Sequence, residues 1–329
     1  MIFKVIIISI LFGITIAAAE ARASALAELL KSDEAEKPVS INNLEKARAD
    51  LWKKYCEEVK ADSVRAKEHE TGQINFSGSV MRYAVSRKGT KPAEGYPLYI
   101  ALHGGGGAPP ELNDGQWEQM KMYYRDSVKN GIYVAVRGIS DTWNLHFMPN
   151  SYVMYDRLIE NMIVFENVDP NRVYVMGYSA GGDGVYQIAS RMSDRFAAGN
   201  MSAGHHNGVD PKNLFNLAFL AQVGEVDSAY DRHKATVEHF IKLNDLKEKN
   251  PEWYEHEIFV HFNKPHNFFD NDPAETKQEV IADPVKWLKE QDRAKVSKNT
   301  NAAVWLSKHK RNPLPDKVIW DLRTGASRG

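Results

Sequence analysis

From about Val80 onward the chain repeats one pattern: a short, wholly apolar run, then a longer stretch with helical spacing. The runs are Tyr99-Ile100-Ala101-Leu102, Tyr133-Val134-Ala135-Val136, Val173-Tyr174-Val175-Met176, Phe196 to Met201, Leu217 to Val223 and Ile258-Phe259-Val260. Apolar runs of this length, without polar alternation, suit parallel strands covered on both faces. Helices are expected between them over Gln116 to Asn130, Tyr152 to Glu166, Ala180 to Met192 and Tyr230 to Leu246; in the third, Val185, Ile188 and Met192 share one face. Strands alternating with helices predict an α/β fold with a mostly parallel central sheet covered by helices on both faces. Ligands of such sheets bind where the strands end at their carboxyl side, so the loops that follow the strands are where chemistry is expected.

Two of those loops carry unusual residues. Gly177-Tyr178-Ser179-Ala180-Gly181-Gly182 joins the Val173 run to the helix beginning near Ala180. A sharp strand-to-helix bend holds its central residue in a strained conformation and lifts the serine hydroxyl into the cleft, provided its neighbours are small. Ser179 is thus the candidate nucleophile, and the N–H of Ala180 at the helix start is aimed at a developing anion. The second loop, His103-Gly104-Gly105-Gly106-Gly107, follows the Tyr99 run. Its bare amides, those of Gly104 and Gly105 first, are expected to complete an oxyanion hole with Ala180. No Lys-Ser/Thr follows the glycines, which argues against a phosphate-binding loop.

A serine nucleophile needs a base, and the base needs an orienting acid. Gly224-Glu225-Val226-Asp227 follows the Leu217 run; Asp227 is the candidate acid, with Glu225 and Asp231 as competitors. His266, in Lys264-Pro265-His266-Asn267-Phe268 after the last apolar run, is the candidate base. His261 lies inside that run and reads as structural, and His103 as a residue that shapes the glycine loop. His205, with its neighbour His206, follows the Phe196 run and is expected to line the cleft. Trp143 and Phe147, in the loop after the Tyr133 run, are expected to wall the substrate pocket or to plug the space between loops. No zinc-binding spacing of His, Cys or Glu occurs, and the reading requires no metal or cofactor. Between the Phe196 run and the next helix there is room for no cap, so an open cleft is expected.

The N-terminus and composition bound the setting. Lys4 precedes an uninterrupted apolar and small-residue run from Val5 to Ala19, followed by small residues suited to signal cleavage. The run is short of the about 20 apolar residues a membrane-spanning helix needs. Residues 1–23 therefore read as a signal peptide, 24–72 as a helical extension with Leu44, Leu51, Tyr55 and Val59 at helical spacing, and 73–329 as the catalytic domain. Secretion or periplasmic export follows, without stable membrane insertion once the signal is removed. Cys56 is the single cysteine, so no intrachain disulfide forms. The net charge of −1 in 329 residues argues against a nucleic-acid partner.

Leu102-His103-Gly104-Gly105, Asp169-Pro170-Asn171-Arg172-Val173-Tyr174 and the Gly177 to Gly182 elbow give the stretch from Leu98 to Gly208 a resemblance to secreted α/β-hydrolase esterases of the poly(3-hydroxybutyrate) depolymerase and feruloyl esterase kind. The resemblance implies an α/β-hydrolase fold and a Ser-Asp-His esterase, carried onto Ser179, Asp227 and His266, acting on an extracellular bulky or polymer-borne ester. A serine peptidase, or an inactive hydrolase fold that binds a ligand, is the alternative.

Overall fold

The computed structural model describes residues 40–261, 263–268 and 301–313, together with the isolated positions 31–32, 37, 275–276, 315–317 and 319. The expected signal segment 1–23 lies outside the described residues, as does nearly all of the charged stretch from Asp270 to Asn299. The chain divides into one compact unit ending at Lys67 and a second starting at Glu68. In the first, helix α1 (Leu44–Ala61) begins after a 3-10 turn and carries the expected Leu44, Leu51, Tyr55 and Val59. The division falls inside α2 (Ser63–Thr71). Among the described residues, no helix is long and apolar enough to cross a membrane.

The second unit is built on β1 (Gln73–Phe76), β2 (Ser79–Lys88), β3 (Tyr96–Leu102), β4 (Gly131–Val136), β5 (Val168–Tyr178), β6 (Ala198–Ser202), β7 (Ala218–Gly224), β8 (His256–His261) and β9 (Glu275–Thr276). They form one sheet in the order β1-β2-β4-β3-β5-β6-β7-β8-β9. β3 to β8 run parallel, while β1, β2 and β9 are antiparallel additions at the two sides. The helices are α3 (Pro110–Tyr123), α4 (Pro149–Glu166), α5 (Ala180–Arg191), α6 (Arg232–Lys249) and α7 (Ala302–Leu306).

The two-residue period of the strands sorts the core onto two faces. Leu98, Ile100 and Leu102 of β3, with Val134, Val175 and Val260, pack against α4, α5 and α6 through residues such as Leu158, Ile188 and Phe240. Tyr99 and Ala101, with Tyr133, Met176 and Phe259, face the other way, onto Trp117 and Met120 of α3 and Trp305 and Leu306 of α7. Every strand of the parallel set is therefore buried on both sides, which is why its sequence shows no polar alternation. Parallel strands, helices on both faces and a serine elbow after β5 make this the α/β-hydrolase fold.

One helix differs from expectation. α3 runs over Pro110–Tyr123 rather than Gln116 to Asn130. Pro110 occupies the first helical turn, where its missing N–H costs nothing. The chain then leaves the helix at Tyr124, passes a 3-10 turn (Arg125–Ser127) and enters β4, with Tyr124 and Val128 buried as anchors.

The strand order locates the cleft. β3 has β4 on one side and β5 on the other, so the chain reverses its direction of progress across the sheet between β3 and β5. The loops leaving these two strands separate and open a crevice at their carboxyl ends. They are the glycine loop and the Ser179 elbow.

Candidate active site

At the elbow the backbone of Ser179 has φ 57° and ψ −121°, a conformation that L residues avoid. Such strain, on the order of 1–3 kcal/mol, persists only where the surroundings impose it. Here the surroundings are close-packed backbone. A Cβ on Gly177 would stand 2.3 Å from the Gly181 carbonyl oxygen, and one on Gly181 would stand 2.1 Å from that of Leu102. The Ser179 N–H donates to the Ser202 carbonyl on β6 at 2.9 Å. β5 thus drives straight into α5, and the serine hydroxyl stands above the sheet.

Three residues far apart in the chain meet there. Ser179 Oγ donates to His266 Nε2 at 3.0 Å, and His266 Nδ1 donates to Asp227 Oδ2 at 2.8 Å. Asp227, 1% exposed, sits just past β7, and His266 lies in the loop after β8. Those loops are joined by backbone bonds: Glu225 N–H donates to the His261 carbonyl at 3.0 Å, and Val226 N–H to that of Lys264 at 3.1 Å. The competing carboxylates are engaged elsewhere. Glu225 accepts from the Asn263 N–H at 2.8 Å, and Asp231 pairs with Lys234 at 2.9 Å.

The glycine loop lies over the serine; a Cβ on Gly104 would stand 3.4 Å from that of Ser179. Its shape depends on residues that carry no recognisable motif. Asn113 of α3 accepts from the Gly106 N–H at 2.8 Å and donates to the Ala108 carbonyl (3.1 Å) and to Asp141 Oδ1 (2.9 Å). Arg137, just past β4, donates to Asp141 and, at 2.8 Å, to Asp114. The Gly106 amide is thus taken up in holding the shape of the loop. Ala180, at the first position of α5, has an N–H with no intrahelical acceptor.

His103 is buried beneath this loop. Its Nδ1 donates to the Gly104 carbonyl at 2.5 Å and its Nε2 accepts from the Gly138 N–H at 3.1 Å, which requires the neutral ring. Burial lowers its pKa to about 4. His146, edge-on to it and donating to the His103 carbonyl, is likewise pushed well below the usual imidazole value by burial. His261 is buried in β8 and bonded to Gln222 at 2.8 Å. These rings are scaffold.

On the other side of the serine the His266 loop is held by Tyr178, the residue before the nucleophile. The Tyr178 hydroxyl donates to the His266 carbonyl and accepts from the Phe268 N–H at 3.1 Å, while Tyr123 donates to the Phe268 carbonyl at 2.9 Å. Position two of a Gly-x-Ser-x-Gly pattern admits many residues, so nothing in the sequence flags Tyr178 for this part.

A cavity of about 540 Å³ adjoins the serine, lined by Gly105, Gly106, Ala180, Trp143 and His205 among others. Trp143 and His205 thus both line this cavity. Phe147 is not on the wall: it is 7% exposed and packs edge-on behind Trp143 with ring centroids 5.3 Å apart. Its apolar ring is more stable under the loop than in the wet cleft, and of the two rings Trp143 is the one that faces solvent. From β6 to β7 the chain runs through residues 203–217, whose regular structure is one 3-10 turn (Pro211–Leu214), too short to form a helical cap. Among the described residues, no group of three or more His, Cys, Asp or Glu side chains is arranged to hold a metal ion.

No family model matches the sequence, and no curated protein matches it. Solved structures similar in fold include a thermostable esterase (18% identity, TM-score 0.47, covering 73% of this chain and 62% of that one). A poly(3-hydroxybutyrate) depolymerase from Bordetella parapertussis is similar at 15% identity, TM-score 0.43, covering 63% of this chain and 88% of that one. A ferulic acid esterase is similar at 16% identity, TM-score 0.41, covering 59% and 90%. The chain thus spans less than two thirds of the thermostable esterase's own length.

Proposed function

We propose that this chain is a serine hydrolase that cleaves carboxylic esters through an acyl-enzyme, with Ser179 as nucleophile, His266 as base and Asp227 as orienting acid. The observation that carries the reading is the unbroken chain of hydrogen bonds from Ser179 Oγ through both ring nitrogens of His266 to a buried carboxylate. A hydroxyl on a strained bend, bonded to an imidazole whose tautomer an acid fixes, is the arrangement acyl transfer needs.

In the first half-reaction His266 Nε2 takes the Ser179 proton as Oγ bonds to the ester carbonyl carbon. The carbonyl electron pair moves onto oxygen, where the amides of Gly104, Gly105 and Ala180 stabilise it. The intermediate collapses, the carbon–oxygen bond to the alcohol breaks, and the leaving oxygen receives the proton from His266. In the second half-reaction His266 deprotonates a water that attacks the acyl-enzyme, and Ser179 leaves with that proton, releasing the carboxylic acid. Asp227 stabilises the imidazolium formed in each half.

With residues 1–23 as an export signal, the substrate is a secreted or periplasmic enzyme's ester. The short crossing between β6 and β7 and the exposed Trp143 support access for a bulky or polymer-borne one. The test is labelling with a fluorophosphonate probe and turnover of 4-nitrophenyl esters. Ser179→Ala is expected to abolish labelling and to lower turnover by about 10⁴ or more. Labelling that persists in the variant rules out Ser179 as the nucleophile.

A further inference from the structure

The wall of the 540 Å³ cavity away from the glycine loop contains a cation whose bonding is incomplete. Arg232 is the first residue of α6, and its side chain is 12% exposed. A guanidinium offers five N–H donors in a fixed fork. Among the described residues one bond is present, Nη1 to the Ala229 carbonyl at 3.1 Å, and Nε is buried without a hydrogen-bond partner. Its nearest carboxylate is Asp227, which gives Oδ2 to His266 and leaves Oδ1 3.8 Å from Nη1, an ion pair too long for a hydrogen bond. A cation this far out of water ordinarily has closer partners.

The other charged groups of the cavity are provided for. Asp183 accepts from the His205 N–H at 2.7 Å and from Asn207 at 3.0 Å. Asp231 pairs with Lys234. Arg232 is held in place by a costly device: Tyr230 and Asp231 both have positive φ, 56° and 53°. Two successive left-handed non-glycine residues store strain of the kind found at ligand clamps. They set the 79% exposed Tyr230 ring against the guanidinium, 4.8 Å from its carbon, which fixes the fork at the cavity wall. The amino ends of α5 and α6 both reach this cavity, and each adds positive potential.

We infer that this cavity receives a carboxylate carried by the ester substrate, and that Arg232 is the residue that recognises it. The inference rests on the hydrolase reading above and names the substrate class of that same site: half-esters of dicarboxylic acids, or esters whose alcohol part bears a carboxylate.

Two matched pairs of esters test it with the full chain: 4-nitrophenyl hydrogen glutarate against 4-nitrophenyl pentanoate, and 4-carboxyphenyl butyrate against phenyl butyrate. The charged member of at least one pair is expected to be preferred in kcat/KM, with the preference shrinking as salt is added. The pair that responds identifies which part of the ester enters the cavity. Arg232→Gln is expected to reduce that preference tenfold or more, and Arg232→Lys to restore part of it. Equal losses on charged and neutral members would make Arg232 a support for Asp227 and overturn the inference, as would a parent chain with no preference in either pair. Calorimetry with monoethyl glutarate separates this from the hydrolase reading. Binding to Ser179→Ala that disappears in Ser179→Ala/Arg232→Gln sustains the carboxylate site whether or not any ester turns over. Binding absent from the first variant, or equal in both, refutes it.

Discussion

The two sides of Ser179 are built in opposite ways. On the glycine-loop side, charged and amide side chains from three distant parts of the chain lock the backbone: Asn113, Asp114, Arg137 and Asp141, with Arg82 donating to Asp114 at 2.6 Å. On the His266 side the loop hangs on backbone bonds to the Asp227 loop and on two phenols, Tyr178 and Tyr123. The difference follows from what each side must do in the proposed reaction. Oxyanion donors are useful only if they do not move when charge develops. The base exchanges a proton between two partners and needs a hinge that holds its ring without freezing it.

The largest effect expected from breaking this comparison is at the base itself. His266→Ala should lower turnover about 10⁴-fold while leaving the thermal midpoint nearly unchanged, since the ring bonds only site residues; turnover that survives in a steady-state assay rules out His266 as base.

Next is acid sensitivity, which should originate on the glycine-loop side. Burial depresses His103 to about 4 from the ordinary 6.5 and pushes its neighbour His146 well below the ordinary value. As pH falls below about 6.5 the unfolded chain takes up these protons before the folded one does. Stability should therefore be full above that pH and decline as pH falls toward 4, by roughly 3 kcal/mol for the His103 ring, with His146 adding to the loss. Urea unfolding measured across this range checks the slope; a flat profile between pH 7 and 4 contradicts it.

Asn113→Ala releases Gly106, Ala108 and Asp141 together. A fall in kcat of about tenfold to a hundredfold is expected, with a loss of roughly 1–3 kcal/mol in stability from the buried polar groups left unpaired. Steady-state kinetics alongside a melting curve would separate the two.

Tyr178→Phe should have the smallest effect: a fall in kcat of roughly tenfold or less with KM little changed, because the backbone bonds of the His266 loop remain. A loss exceeding that of Asn113→Ala would reverse the proposed division between a rigid and a compliant side.

Much of this site was legible before any coordinates. Apolar runs of strand length, alternating with helical spacing, were enough for the layered α/β sheet, because burial on both faces leaves a local signature. The elbow was legible for the same reason. Gly177 and Gly181 meet backbone a few residues away and on the adjoining strand, so the requirement for small residues is written into six consecutive positions. What the chain alone left open was direction. Glu225, Asp227 and Asp231 stand within seven positions and are chemically alike; the pairing of β7 with β8 turns Glu225 to Asn263 and Asp227 to His266. Asn113-Asp114-Gly115 has the composition of a turn, yet it lies inside α3, where bonds to Gly106, Asp141, Arg82 and Arg137 outweigh its weak helix propensity. Trp143 and Phe147 read alike, each as pocket wall or plug between loops, and packing sent one to the cleft and the other beneath it. Periodicity and close backbone contact are short-range and survive in sequence; the choice among equivalent side chains is made by partners many residues distant, and becomes definite only when the sheet brings those partners together.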